Sequence, residues 1–150
     1  MLQIFVDADA SPVKQEIYRI AARHQLAVIL VANASMFVPS QPGVSLQVVS
    51  GDFDAADDWI ADRVGEGDIV VTADIPLAAR CLPKGAAVVA PTGRRFTEDN
   101  IGDALATREL MADARAYGVR SGPPPFTKRD RSQFLQQMEQ TIQAIKRGRR

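Results

Sequence analysis

Ile4-Phe5-Val6-Asp7-Ala8-Asp9-Ala10-Ser11-Pro12 is the stretch whose reading decides the fold. A short apolar strand, Gln3–Val6, runs straight into two carboxylates. Ser11 is placed to cap a helix and Pro12 suits the first helical position, so a helix is predicted over 12–24. Val13, Ile17, Ile20, Ala21 and His24 fall on one stripe of it. Acids at the carboxyl end of a buried strand, beside a helix start, occupy the edge where open α/β sheets place their sites.

Working outward, Ala27–Ala32 is apolar throughout and reads as a strand buried on both faces. Asn33-Ala34-Ser35 and 39–43 read as loop, and Val44–Val49 as a third strand. A helix from Asp54 to about Val64 carries Ala55, Ala56, Trp59 and Ile60 inward, and Gly65-Glu66-Gly67 stops it. Asp68–Thr72 is a fourth strand, Ile75–Leu82 a short helix and Ala86–Ala90 a fifth strand. Pro91–Phe96 reads as a loop bearing Arg94 and Arg95, and Thr97 as the cap of a helix running to about Tyr117. Residues 118–126 form a Gly/Pro-rich connector. A last, amphipathic helix runs from Asp130 to about Lys146, with Phe134, Leu135, Met138, Ile142 and Ile145 on one face, and should pack on the body or on a second subunit. Strands alternating with helices predict an α/β fold: a mostly parallel five-stranded sheet with right-handed crossovers and helices on both faces.

With 150 residues, the chain is long enough for one domain with a real core, and the connector is too short to mark a second. Hydrophobic residues make up 46% and charged residues 24%, as in soluble globular proteins. The expected location is cytoplasmic, because no apolar run reaches transmembrane length and Asp7 and Asp9 interrupt any leader. Cys81 is the sole cysteine, which excludes an intrachain disulfide and a thiolate zinc cluster, and its apolar neighbours read as packing. Charge is unevenly spread. Residues 1–107 carry 8 Lys/Arg against 14 Asp/Glu, a net of −6, and residues 108–150 carry 10 against 4, a net of +6. That distribution suits a cation at one place and a polyanion nearby, although attraction between the two parts accounts for it equally well.

The acids fall in three groups: Asp7 and Asp9 after the first strand, Asp54, Asp57 and Asp58 at a helix start, and Asp74 after the fourth strand. If strands one and four are neighbours, Asp7, Asp9 and Asp74 converge, and Asp57 joins them from its helix. Crowded carboxylates resist ionising together without a cation, and oxygen-only donors suit Mg²⁺ or Mn²⁺. Such a centre hydrolyses phosphodiesters by activating water. Ordinary structural uses compete: Asp54 and Asp74 as helix caps, Asp58 and Asp62 as solvated helix-face residues, Asp52 as a turn residue. Asp7, Asp9, Asp57 and Asp74 are therefore the candidate catalytic and metal-binding residues. The candidate substrate contacts are Lys14, Asn33, Ser35, Thr72 and Arg94. His24, alone at a helix C-terminus, reads as dipole stabilisation or surface rather than catalysis. No Gly-rich phosphate loop is present.

Asp7-Ala8-Asp9-Ala10-Ser11-Pro12-Val13-Lys14, Val31-Ala32-Asn33-Ala34-Ser35, Asp54-Ala55-Ala56-Asp57, the run from Gly67 to Ala78, and Asp130-Arg131-Ser132-Gln133-Phe134 resemble the YaiI/YqxD family of functionally uncharacterised bacterial proteins. Those are similar to PIN-like nuclease domains, small α/β folds whose clustered acids bind Mg²⁺ or Mn²⁺ and cut RNA or DNA. Thr72-Ala73-Asp74 resembles the PIN Thr-x-Asp motif, Asp7 the first acid and Asp57 a helical acid. The resemblance implies a single PIN-like domain acting as a metal-dependent nuclease, with RNA the expected substrate. Relatives often carry Cys where this chain has Ser11, and a metal mechanism does not need that thiol. Two other readings stand beside it. Asp7-Ala8-Asp9-Ala10-Ser11 fits the opening Asp-x-Asp-x-Ser/Thr pattern of haloacid dehalogenase-like phosphatases, with Asp7 as nucleophile. Alternatively, the scaffold binds RNA or a protein partner without catalysis.

Overall fold

The structure, a computed structural model, describes residues 2–9, 11–52, 54–116 and 125–148, and of 111–116 the backbone alone. Strands β1 (Gln3–Asp7), β2 (Ala27–Ala32), β3 (Val44–Val48), β4 (Ile69–Val71), β5 (Ala87–Val89) and β6 (Arg95–Phe96) form one sheet in the order 3-2-1-4-5-6. β1 to β5 pair in parallel, and β6 turns back antiparallel on β5. The sheet is thus six-stranded rather than five-stranded, because the expected loop after β5 closes a short hairpin: Val88 faces Phe96 and Val89 faces Arg95. Helices α1 (Lys14–His24), α2 (Ala55–Arg63), α3 (Ile75–Cys81), α4 (Ile101–Ala116) and α5 (Lys128–Lys146) complete the fold.

Two cores follow from the two-residue period of the strands. Ile4 and Val6 of β1, Ile69 and Val71 of β4 and Val89 of β5 pack with Val13, Ile17 and Ile20 beside α1 and with Phe134, Met138 and Ile142 of α5. Phe5, Val70 and Val88 point the other way, onto Ile60 of α2, Leu77 and Cys81 of α3 and Ala104 of α4. The helices therefore cover both faces, as the near-continuous apolar strands require. The expected amphipathic C-terminal helix packs on the body beside α1. Its polar seam is tied by Arg131 to Glu16 at 3.2 Å and by His24 to Glu139 at 2.9 Å. Among the described residues, no helix is long and apolar enough to cross a membrane.

Several boundaries differ from expectation. β1 continues through Asp7, which pairs with Val31 across the ladder. Ser11 does not cap α1: the helix starts at Lys14, Val13 holds the cap position, and the Ser11 hydroxyl is buried without a hydrogen-bond partner among the described residues. Pro12 consequently sits in the turn before the helix. Asp54 holds the cap position of α2 but makes no side-chain cap bond. Thr97 and Asn100 bond reciprocally, Thr97 N to Asn100 Oδ1 at 2.9 Å and Asn100 N to Thr97 Oγ1 at 3.2 Å, and so set up α4 one turn later than expected. α5 begins at Lys128, two residues early, because Thr127 and Asp130 form a reciprocal capping box. The predicted end near Tyr117 and most of the 118–126 connector lie outside the described residues.

Candidate functional site

Because β1 to β5 are parallel, their carboxyl ends share one edge. The helix order reverses between β1 and β4: α1 returns on one face, α2 and α3 on the other. β1 and β4 are direct neighbours, so the acids that follow them meet at this switch point. The β2 end adds Asn33, and the first turn of α2 brings Asp57 to the same edge.

The centre is a short relay. Thr72, 2% exposed, donates its hydroxyl hydrogen to Asp7 Oδ2 at 2.9 Å, and its Oγ1 accepts from the Asp74 backbone N–H at 2.9 Å. Asp74 in turn caps α3, its Oδ1 accepting from Leu77 N at 2.9 Å. The structural use of Asp74 and its place in the site are one arrangement, since capping aims the carboxylate. Asp9 is exposed, and both its oxygens accept from the Asn33 backbone N–H, at 3.2 and 3.1 Å.

The electrostatics show which carboxylates share the edge. Burial pushes the Asp7 carboxyl above the ordinary carboxylate range, and nearby Asp74 and Asp9 push the same way against the Thr72 hydrogen bond. Asp57 is raised to about 6, first by burial and then by the charges of Asp74, Asp7 and Asp54, with Arg80 opposing. Asp7, Asp57 and Asp74 therefore feel one another as like charges. Among the described residues, however, no three His, Cys, Asp or Glu groups stand close enough to ligate one ion as they are placed. The donor chemistry is that of a hard divalent cation: carboxylate oxygens only, in mutual repulsion that such a cation would relieve.

The other predicted residues take separate positions. Lys14, half-buried, opens α1 at this edge, and Asn33 and Ser35 are exposed where the chain leaves β2. Arg94 is exposed in the β5–β6 turn, its guanidinium 5.0 Å over the Phe96 ring. Asp58 is bound by Arg80 at 2.8 Å, an ordinary ion pair on exposed side chains. Cys81 is fully buried and its thiol is pushed up to about 11, as a packing residue. Three polar residues went unread in the sequence. Glu16 is buried under Arg131, Asp68 accepts from Gln3 N at 3.1 Å and Gly65 N at 2.9 Å, and Arg80 sets the charge near Asp57. Glu16 alone left a signal: it lies one residue before Ile17 on the apolar stripe.

A family model described as "Uncharacterized BCR, YaiI/YqxD family" matches residues 5–144. Its span runs from within β1 to within the last turn of α5 and so includes every acid of the edge. A UPF0178 protein of Rhodospirillum centenum is 58% identical over 154 residues, covering 99% of this chain and 100% of the relative. One from Rhodospirillum rubrum is 55% identical, covering 99% and 100%, and one from a Bradyrhizobium strain is 52% identical, covering 99% and 91%. No solved structure matches significantly. Matched over nearly its whole length by the model and by these relatives, the chain belongs to the YaiI/YqxD family.

Proposed function

We propose that the protein is a metal-dependent nuclease of PIN-like type, built as one domain, that hydrolyses phosphodiesters at the carboxyl edge of the sheet, with RNA as the expected substrate. The observation that carries the reading is the Asp7–Thr72–Asp74 relay at the β1/β4 switch point, beside Asp57, which burial and then the charges of Asp74 and Asp7 push upward. Half-buried like charges are costly to maintain in a site with no cation to bind.

Asp7, Asp57 and Asp74 would hold Mg²⁺ or Mn²⁺, and Asp9 would lie at the rim. When bound, the cation supplies an activated water and stabilises the leaving oxygen. The chain's own part is positional. Thr72 fixes Asp7 through Oδ2, and capping fixes Asp74 through Oδ1. Lys14 at the start of α1 provides a phosphate contact, which orients a strand without reading its sequence.

The test is cleavage of single-stranded RNA with Mn²⁺ and with EDTA. Asp7→Asn and Asp74→Asn should each reduce Mn²⁺-dependent cleavage at least about 100-fold, the order seen when a charge-stabilising group is lost from a hydrolytic site. Undiminished cleavage in both variants would overturn the assignment. A phosphoaspartate trapped at Asp7 would instead establish phosphatase chemistry, and absence of both cleavage and millimolar Mn²⁺ binding would establish a binding module.

A further inference from the structure

A cavity of about 410 Å³ lies between the β5–β6 turn and α5, walled by Thr92, Gly93 and Arg94 on one side and by glutamines of the helix on the other. None of the acids of the edge lines it. We infer that this trench is a seat for the sugar-phosphate backbone of a single-stranded nucleic acid that continues past the acidic edge.

The walls are fixed. Gly93 adopts φ +90°, and a Cβ there would stand 2.6 Å from Gln133 C and 2.8 Å from Gln133 O, so the turn lies directly on the helix backbone. Only glycine permits that approach. Arg94 is steadied over Phe96, which orients its guanidinium without neutralising it. Gln133, Gln136 and Gln140 are exposed, and with Gln137 they span about two helical turns, or about 10 Å at 1.5 Å per residue.

The chemistry of the walls selects the ligand. Small-molecule pockets are mostly apolar and enclosed. Here the lining is four amides, a threonine and one cation, with no carboxylate and no large apolar side chain. Amides exchange hydrogen bonds with hydroxyl and phosphate oxygens, and a guanidinium takes a phosphate in a bidentate fork. Location favours a strand over a free nucleotide. β5 ends at the same edge as β1, two strands away or about 10 Å, and Val89 O accepts from Thr72 N at 3.2 Å, next to the relay. Charge favours it too. The acidic part of the chain repels phosphates, whereas α5 opens with Lys128 and Arg129, both exposed, and Arg131, whose Nη1 reaches Pro12 O at 3.1 Å, sets that end of the helix at the same edge.

The seat rests on the nuclease reading only for the direction of the strand, and its test is kept apart from cleavage. Binding of a fluorescein-labelled single-stranded RNA is followed by anisotropy in EDTA across a salt series. Arg94→Gln should weaken binding about 5- to 10-fold and lower the salt slope by about 1, the mark of one lost phosphate contact. Gln136→Glu, which sets a carboxylate against the phosphates, should weaken binding at least as much. Arg63→Gln, at the opposite end of α2, serves as the control for total charge. Equal affinities in all three variants would overturn the seat, and so would variants that lose binding of a mononucleotide but not of the strand. Groove-sensitive binding without metal-dependent cleavage would uphold the seat and overturn the nuclease. Cleavage with groove-insensitive binding would do the reverse.

Discussion

The edge at the ends of β1 and β4 and the seam between α1 and α5 use the same residue types to opposite ends. Along the seam Glu16 and Glu139 each sit against an arginine. Glu16, its side chain 5% exposed, is held by Arg131 at 3.2 Å, and Glu139 takes His24 at 2.9 Å and Arg23 at 3.3 Å. At the edge Asp57 feels the charges of Asp74 and Asp7, and Arg80, the cation that opposes them, is bound to Asp58. At the seam, His24 and Gln143 hold the Glu139 carboxyl below the ordinary range, whereas at the edge burial and neighbouring carboxylates push Asp7 and Asp57 above it. An edge kept under that penalty beside a paired seam is the contrast on which the proposed cation site rests.

The largest effect that would break the comparison is at the seam. Arg131→Met leaves the buried Glu16 carboxylate with only the largely exposed Arg19, 3.6 Å away, and stripping a buried acceptor of its hydrogen bonds costs about 2 kcal/mol. Denaturant unfolding should show that loss. At the edge the sign reverses: Asp57→Asn removes a repelled charge and should raise Tm by about 2–4 °C. Equal destabilisation by both substitutions would show that the edge is not under charge strain.

The pH dependence sharpens the same contrast. Asp57 has an ordinary value of 3.8 and is raised to about 6 in the fold. Between those values the folded chain binds more protons than the unfolded chain, so stability falls as pH rises through the window and the penalty is full above it. Metal-free protein should therefore melt higher at pH 5 than at pH 7, and Asp57→Asn should flatten that slope. Mn²⁺ should raise Tm more at pH 7, where the carboxylates are ionised, than at pH 5. Glu139 behaves oppositely. His24 and Gln143 hold its carboxyl below the usual range, so its contribution is present above the ordinary value and disappears only as pH falls below it.

What could be read from the sequence divides along the same line. The strands that end at Asp7 and before Asp74 were legible because a buried strand shows as an unbroken apolar run. The parallel sheet followed from strand–helix alternation. The β5–β6 hairpin was not legible, since a two-residue strand carries no period. The start of α1 misled because Ser11-Pro12 satisfies the local rules for a helix start while Val13, fully buried, takes the cap position. The seam was invisible for another reason. Glu16 and Arg131 are 115 residues apart, and neither has a local pattern that names the other.

The smallest effect tests how the seam is wired at its far end. Lys146 Nζ lies 3.1 Å from His24 Nδ1, and an ammonium can only donate, so Nδ1 is the acceptor and Nε2–H donates to Glu139. The imidazole thus bridges Lys146 and Glu139. His24→Ala should cost about 1 kcal/mol, since two partly exposed polar contacts are lost together. Lys146→Ala should cost less than about 0.5 kcal/mol and be silenced by salt, because its ammonium is exposed and screened. His24→Ala should also speed amide exchange in the last turns of α5, while Thr127 and Asp130 keep the first turn protected through their capping box. Exchange that rises equally along the whole helix would mean that α5 is held as one unit by Phe134, Met138 and Ile142, with the His24 link contributing nothing local.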